Sequence, residues 1–150
     1  MNMQHFILVA LAPTLVAVKA EDGRPNERGG QAIAELSRVR HQSNLDELRE
    51  EFPFLADAVT DHVLGDVWAR RTIDHHARQL ATVAAFAATG DRAQLKIHAG
   101  YALNIGVSQD ELKEIIYLTA AHVSFPRAID MAQAMSELFA ERWEASQPIN

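Results

Sequence analysis

Between Asp74 and Pro126 the sequence carries three consecutive segments with helical periodicity, separated by two turns that glycine marks. Apolar residues recur every three or four positions in each segment, as they do along one face of an α-helix. Gly90 and Gly106 stand where the first two segments end, and glycine readily closes a helix in the left-handed conformation. No run alternates between polar and apolar residues over the length of a strand. The chain is therefore expected to fold as an all-α domain.

Polar residues at the segment starts predict where the helices begin. Asp91 with Gln94, and Ser108 with Glu111, have the spacing of a capping side chain and its partner three residues later. Pro126 suits the first turn of a closing helix, where its missing N–H is not needed. These signals predict three helix starts.

The alanine-rich segment 77–88 is apolar on nearly every side. A helix of this kind has to be covered all round. In a chain of 150 residues the expected cover is a neighbouring subunit.

Residues 1–20 hold one lysine, no acidic residue and an apolar run, Phe6 to Val18, that is too short for a stable membrane anchor. This pattern predicts a secretory signal peptide. The alternative is an apolar arm that packs on a neighbouring subunit. Cleavage implies an exported, periplasmic protein without a membrane contact, and retention implies a cytoplasmic one.

After this segment, residues 21–30 are rich in glycine and polar residues, which predicts a linker. Residues 31–150 are predicted to form a single domain. Its upstream part is also helical in pattern, with one helix starting at Pro53 and ending at Gly65. Residues 65–68 are expected to form a short connector.

Composition excludes several classes of function. The net charge of −6 argues against general binding to nucleic acid or to anionic membranes. The chain has no cysteine, which removes disulfides, thiol nucleophiles and cysteine-based zinc sites. No pair of histidines has the spacing of a helical metal site, so no metal ligand is predicted.

The order of these signals resembles the carboxymuconolactone decarboxylase family, which shares its fold with the alkylhydroperoxidase AhpD-like proteins. The resemblance covers about half of the chain, residues 64–135. The matching pieces are Gly65–Trp68, Arg71, Asp74, Arg78, Leu80, Gly90, Leu95–His98, Ala102–Asn104, Gly106, Val107, Glu111, Glu114 and Phe125–Pro126.

The resemblance implies a helical bundle that assembles as a homo-oligomeric ring, a trimer or a hexamer, with sites near the subunit interfaces. It also implies one of two chemistries, cofactor-free decarboxylation of a lactone carboxylate or peroxide reduction through a CxxC helix. The positions that match the redox cysteines hold Asp91 and Gln94, and Gln79 stands at the position of a relay glutamate. Thiol peroxidase activity is therefore rejected.

The expected function is decarboxylation, or related acid/base chemistry, of a small organic acid or lactone, without a cofactor. The alternative is an exported oligomeric binding protein that keeps the fold without catalysis.

His98 is the predicted catalytic residue. It lies among apolar residues, where an imidazole needs a hydrogen-bond partner and where burial favours its neutral form. A core histidine is the alternative, and the family match favours a general acid/base that protonates the dienolate left by decarboxylation. Glu114 is the predicted partner of a histidine, with a solvated helix carboxylate as its alternative.

Arg71 and Arg78 are candidates to bind a substrate carboxylate, because a guanidinium group can hold it through two hydrogen bonds. The structural alternative is that Asp74 caps a helix and pairs with Arg78 four residues later. Asn104 and His122 complete the predicted substrate-binding set. At the position of His122 the family usually has an aromatic residue.

Overall fold

The computed structural model describes residues 25–38 and 43–147, in which helices are joined by short turns and no β-strand occurs. The predicted signal peptide, residues 1–20, lies outside them. The all-α prediction is confirmed. The helices are α1 (Pro25–Ser37), α2 (Ser43–Glu51), α3 (Pro53–Ala58), a π-helix (Val59–Trp68), α4 (His75–Thr89), α5 (Arg92–Asn104), α6 (Gln109–His122) and α7 (Phe125–Ser146).

The main core is formed by α4, α5, α6 and α7, with α4 and α7 each packed on both α5 and α6. Its side chains mix alanine with leucine, isoleucine and methionine, so the helices approach closely. Burying one leucine stabilises such a core by about 2 kcal/mol. None of the helices in the described ranges is both long and apolar enough to cross a membrane. The buried core residues are Val83, Ala87, Leu95, Ala99, Ala102, Val107, Leu112, Ile116, Ala128, Met131, Ala134, Met135 and Leu138.

The ends of the core helices confirm the predicted caps. The Asp91 carboxylate accepts a hydrogen bond from the backbone N–H three residues later, at 3.0 Å. Ser108 and Glu111 form a complete capping box at the start of α6. Gly90 ends α4 with φ of 81°, and a Cβ there would overlap the Arg127 guanidinium. Local signals therefore define where these helices begin and end.

The predicted linker is wrong in its second half, because Pro25–Gly30 form the first turns of α1. Pro25 occupies the helix start, where its missing N–H costs nothing. Gly29 lies so close to the π-helix that a Cβ would stand 2.1 Å from the Thr60 carbonyl oxygen. The glycine therefore allows two helices to approach each other rather than acting as a flexible joint.

The helix that starts at Pro53 does not end at Gly65, as predicted, but continues as the π-helix to Trp68. Gly65 is buried, and its carbonyl oxygen accepts a hydrogen bond from Arg28 Nε of α1 at 2.8 Å. Here α1 packs over Gly65 and the helix continues past it. This packing creates a second, smaller core. Its buried residues are Ala32, Leu36 and Trp68, with Leu64, Tyr101 and Ile105 packed against them.

Candidate active site

His98 lies on α5 between two aromatic side chains and is half-buried. The Phe86 ring of α4 stacks on the imidazole with 4.9 Å between ring centroids. Tyr101 of the same helix meets it edge to face, with 5.5 Å between centroids. Such pairs are worth about 0.5–1.5 kcal/mol beyond their buried area. They fix the plane of the imidazole.

The hydrogen-bond partner of His98 is Gln79 of α4, which is not among the site residues predicted from the sequence. Its amide nitrogen Nε2 lies 2.7 Å from the His98 carbonyl oxygen and 3.1 Å from the imidazole Nδ1. Gln79 is fully buried, at 0% exposure, on the same stripe of α4 as Val83 and Ala87. A polar residue on a buried apolar stripe was the signal in the sequence, because a buried amide needs a partner.

Burial lowers the pKa of His98 from its usual 6.5 to about 4. The cause is the loss of solvent around the charged form, and no carboxylate pairs with the imidazole within the described ranges. At neutral pH His98 is therefore uncharged, with one N–H and one lone pair on its ring. Gln79 already occupies Nδ1.

Arg78 of α4 forms hydrogen bonds to the segment that precedes this helix. Its two terminal nitrogens donate to the carbonyl oxygens of Val67, at 3.2 Å, and Arg70, at 2.5 Å. The guanidinium carbon lies 5.7 Å from the centroid of the Trp68 ring, within cation–π range. Tyr101, which contacts the imidazole, packs against the small core that contains Trp68. Arg78 thus contacts Trp68, whereas His98 contacts Phe86 and Tyr101.

The structural alternative for Asp74 and Arg78 is present in part. Asp74 caps α4, accepting a hydrogen bond from the backbone N–H of Ala77 at 2.7 Å, but it forms no ion pair with Arg78 in the described part of the chain. Arg71 is exposed in the connector before this helix. Of the two predicted arginines, Arg78 is held on α4 beside the Trp68 ring.

Three buried polar atoms near the start of α4 have no hydrogen-bond partner among the described residues: Trp68 Nε1, Arg78 Nε and Gln79 Oε1. A buried polar group without a partner costs about 1–3 kcal/mol. Two of the three are donors, and they belong to side chains in contact with each other. An oxygen-bearing ligand is a suitable partner for such donors.

The remaining predicted residues are not brought to the imidazole. Asn104 joins three helices, since its Nδ2 donates to the Leu36 carbonyl oxygen at 2.8 Å and its Oδ1 accepts from Arg142 at 2.7 Å. Glu114 and His122 are exposed on α6. The site roles of these three residues stay predictions.

Two further histidines tie the start of α4 to its neighbours. His75 Nδ1 lies 3.0 Å from a carboxylate oxygen of Glu35 on α1, and His76 Nε2 lies 3.2 Å from one of Glu111 on α6. Within residues 25–38 and 43–147, no three His, Cys, Asp or Glu side chains are grouped so that they could hold a metal ion.

A cleft of about 230 Å³ lies between α6 and α7, away from the imidazole. It is mostly apolar, with Lys113 and Tyr117 among its lining residues. Because Lys113 already pairs with Asp110 at 2.8 Å, the cleft offers no unpaired charge to a ligand.

The fold and the site together define a small helical domain with a neutral, hydrogen-bonded histidine and no cysteine. Residues 53–137, more than half of the chain, match the carboxymuconolactone decarboxylase family. The protein belongs to this family, as the sequence analysis predicted. It is also similar to a 4-carboxymuconolactone decarboxylase of Acinetobacter baylyi, at 28% identity over 120 residues that cover 80% of this chain and 87% of the relative.

Proposed function

We propose that this protein decarboxylates a small organic acid or lactone without a cofactor, with His98 at the reacting centre. The observation that carries the proposal is the half-buried, neutral imidazole whose Nδ1 is held by Gln79 and whose Nε2 has no partner among the described residues. Such a group is suited to face a reacting oxygen. The similarity to a 4-carboxymuconolactone decarboxylase supports this class of substrate.

The reaction places a clear demand on the site. The bond between the carboxylate carbon and the lactone breaks, carbon dioxide leaves, and the electron pair moves into the conjugated system as a dienolate. A proton then joins a carbon of this dienolate. The barrier falls if the negative charge on the dienolate oxygen is met by a fixed hydrogen-bond donor in a site of low polarity. His98, between Phe86 and Tyr101, is our candidate for that donor.

The substrate carboxylate also needs a binding group. We assign this role to Arg78, helped by Trp68, because both carry buried N–H groups without a partner in the described part of the chain. The guanidinium is oriented by the carbonyl oxygens of Val67 and Arg70. Arg71, Asn104 and His122 stay secondary candidates for substrate binding. Glu114 stays the predicted partner of a histidine and would act from its position on α6.

The proposal includes assembly into a homo-oligomer, a trimer or a hexamer. Large apolar side chains are exposed where α6 meets α7, including Phe125 at 72% and Tyr117 at 61% exposure. Exposed alanines follow one side of α4 at helical spacing, at positions 77, 81, 85 and 88. Contiguous exposed apolar residues are typical of surfaces that a partner covers. Light scattering on the purified protein should give the mass of three or six chains, and a monomer at micromolar concentration would contradict this part.

The second candidate function is a binding protein that retains the fold without turnover. It is favoured by the clamp role of Arg78, whose terminal nitrogens already bond to backbone. The two functions differ in whether carbon dioxide is released. They can therefore be separated with one substrate series and one variant.

The experiment measures carbon dioxide release and loss of ultraviolet absorbance with 4-carboxymuconolactone and related lactone acids. His98→Gln should lower kcat by about 10²-fold or more, the usual effect of losing one such donor. His62→Gln, at a histidine with 74% side-chain exposure, is the matched control and should keep full activity. Full activity of His98→Gln would refute the role of His98. Binding without turnover by the wild type would favour the second function.

A further inference from the structure

The amide nitrogen of Gln79 lies within hydrogen-bond distance of two atoms of a single residue. Its Nε2 lies 2.7 Å from the backbone carbonyl oxygen of His98 and 3.1 Å from the imidazole Nδ1. Gln79 and His98 are nineteen residues apart in the chain, and His98 lies on the neighbouring helix α5. Gln79 therefore contacts the backbone and the ring of His98 at once.

The backbone carbonyl decides which way round the amide lies. An amide turned by 180° would place Oε1 against the carbonyl oxygen, two acceptors at a distance of 2.7 Å. With the nitrogen facing the carbonyl, the neighbouring Nδ1 receives the second N–H and must carry a lone pair. A neutral imidazole with a lone pair on Nδ1 has its proton on Nε2.

This arrangement also leaves Gln79 Oε1 buried and without a partner among the described residues. Gln79 itself is 0% exposed, on a helix stripe that is otherwise apolar. An apolar side chain of the same length would fill this position without leaving a buried acceptor unpaired. What the glutamine adds is its pair of hydrogen bonds to His98.

We propose that Gln79 is a positioning residue that holds His98 in the Nε2–H tautomer, so that His98 donates a hydrogen bond to the reacting anion and does not exchange a proton with it. The catalytic consequence rests on the proposed function, whereas the tautomer itself does not. Protonation of Nδ1 would set one N–H against another, so the same contact also opposes the imidazolium form. The proton that joins the product carbon then comes from water, which leaves hydroxide.

The form of His98 can be observed directly. Nitrogen-15 NMR of the full chain, labelled at histidine, reports which ring nitrogen carries the proton, and the His98→Gln spectrum identifies the signals that belong to His98. At pH 7 the wild type should show His98 with its proton on Nε2 in more than about nine molecules of ten, a tenfold preference being 1.4 kcal/mol. A proton on Nδ1, or an imidazolium, would overturn the inference without any variant.

Two substitutions test whether Gln79 is the cause. Gln79→Met keeps the length of the side chain and removes both donors, so the Nδ1–H tautomer should increase severalfold. Gln79→Glu supplies an acceptor and should move the proton to Nδ1. Gln133→Met, the same change at an exposed position of α7, should leave the spectrum unchanged. An unchanged tautomer in a folded Gln79→Met or Gln79→Glu protein would refute the role.

Turnover adds a second, separate readout. If His98 acts as the donor, Gln79→Met should lower kcat severalfold with little change in KM, since binding of the carboxylate is left intact. A protein with the expected tautomers but no decarboxylase activity would reject the proposed function and leave the role of Gln79 standing. Decarboxylase activity in a protein whose His98 carries its proton on Nδ1 would reject the role of Gln79 and leave the proposed function standing.

Discussion

Replacing His98 by glutamine should remove a pH-dependent part of the stability of the fold. In the folded protein burial lowers the pKa of His98 to about 4, against 6.5 for an exposed histidine. Between these values the unfolded chain binds more protons than the folded one, so the free energy of unfolding rises with pH. At 1.36 kcal/mol per pH unit, the gap amounts to on the order of 3 kcal/mol. This contribution is complete above pH 6.5 and is lost as the pH falls to 4.

The assay is urea unfolding followed by circular dichroism, at half-unit steps from pH 4 to pH 7.5. Carboxylates that titrate in this range are shared by the wild type and the variant, so the difference between the two curves isolates His98. The difference should change by about 3 kcal/mol, most steeply between pH 4.5 and 6. Gln133→Met, a change of a non-titrating side chain at an exposed position of α7, should run parallel to the wild type. Parallel curves for His98→Gln and the wild type would refute the claim that His98 is neutral through burial.

The helix ends and the core permit three further predictions, each measured as the free energy of unfolding in urea. Ser108→Ala should cost about 1 kcal/mol, because α6 loses its cap, and an unchanged value would contradict the capping box. Gly90→Ala should cost about 1–2 kcal/mol, because φ of 81° is unfavourable for a residue with a Cβ, and a stabilised protein would argue against that conformation. Leu95→Ala should cost about 2–5 kcal/mol, since Leu95 is fully buried, and a loss below about 1 kcal/mol would contradict its place in the core.

The helices and their ends could be predicted because their signals are local. The Asp91 and Ser108 caps each act on backbone N–H groups within three residues, so the sequence contains the whole interaction. The same is true of Gly90, whose conformation depends on its own missing side chain. The order of such signals was also enough to indicate the family.

The contacts of the site could not be predicted in this way, because they join residues that are far apart in the chain. Gln79 and His98 meet across two helices, whereas in the sequence the glutamine stands out only as the residue at the position of a family glutamate. Arg78 was predicted either to bind a substrate carboxylate or to pair with Asp74, but its terminal nitrogens bond to the carbonyl oxygens of Val67, in the last turn of the π-helix, and of Arg70, just after it. Periodicity indicates that a residue is buried, and it does not indicate which neighbour satisfies its polar atoms.

The close packing of Gly29 against the π-helix could not be predicted from the sequence either. Glycine in a polar stretch is typical of a linker, and only the presence of the Thr60 carbonyl against it gives it another meaning. The close approach depends on the π-helix, a geometry that has no simple periodic pattern.

The position of Asn104 gives α1 a defined register along α5. Apolar contacts are not directional, so a helix held by them alone could slide by a turn with little loss. A slide of one turn, about 5.4 Å, would break the hydrogen bond from Asn104 to the Leu36 carbonyl oxygen and leave the half-buried amide nitrogen without that partner. Because Arg142 of α7 binds the other end of the same amide, α7 also helps to determine where α1 lies along α5. The Asn104 side chain thus sets the alignment of the first described helix relative to the last.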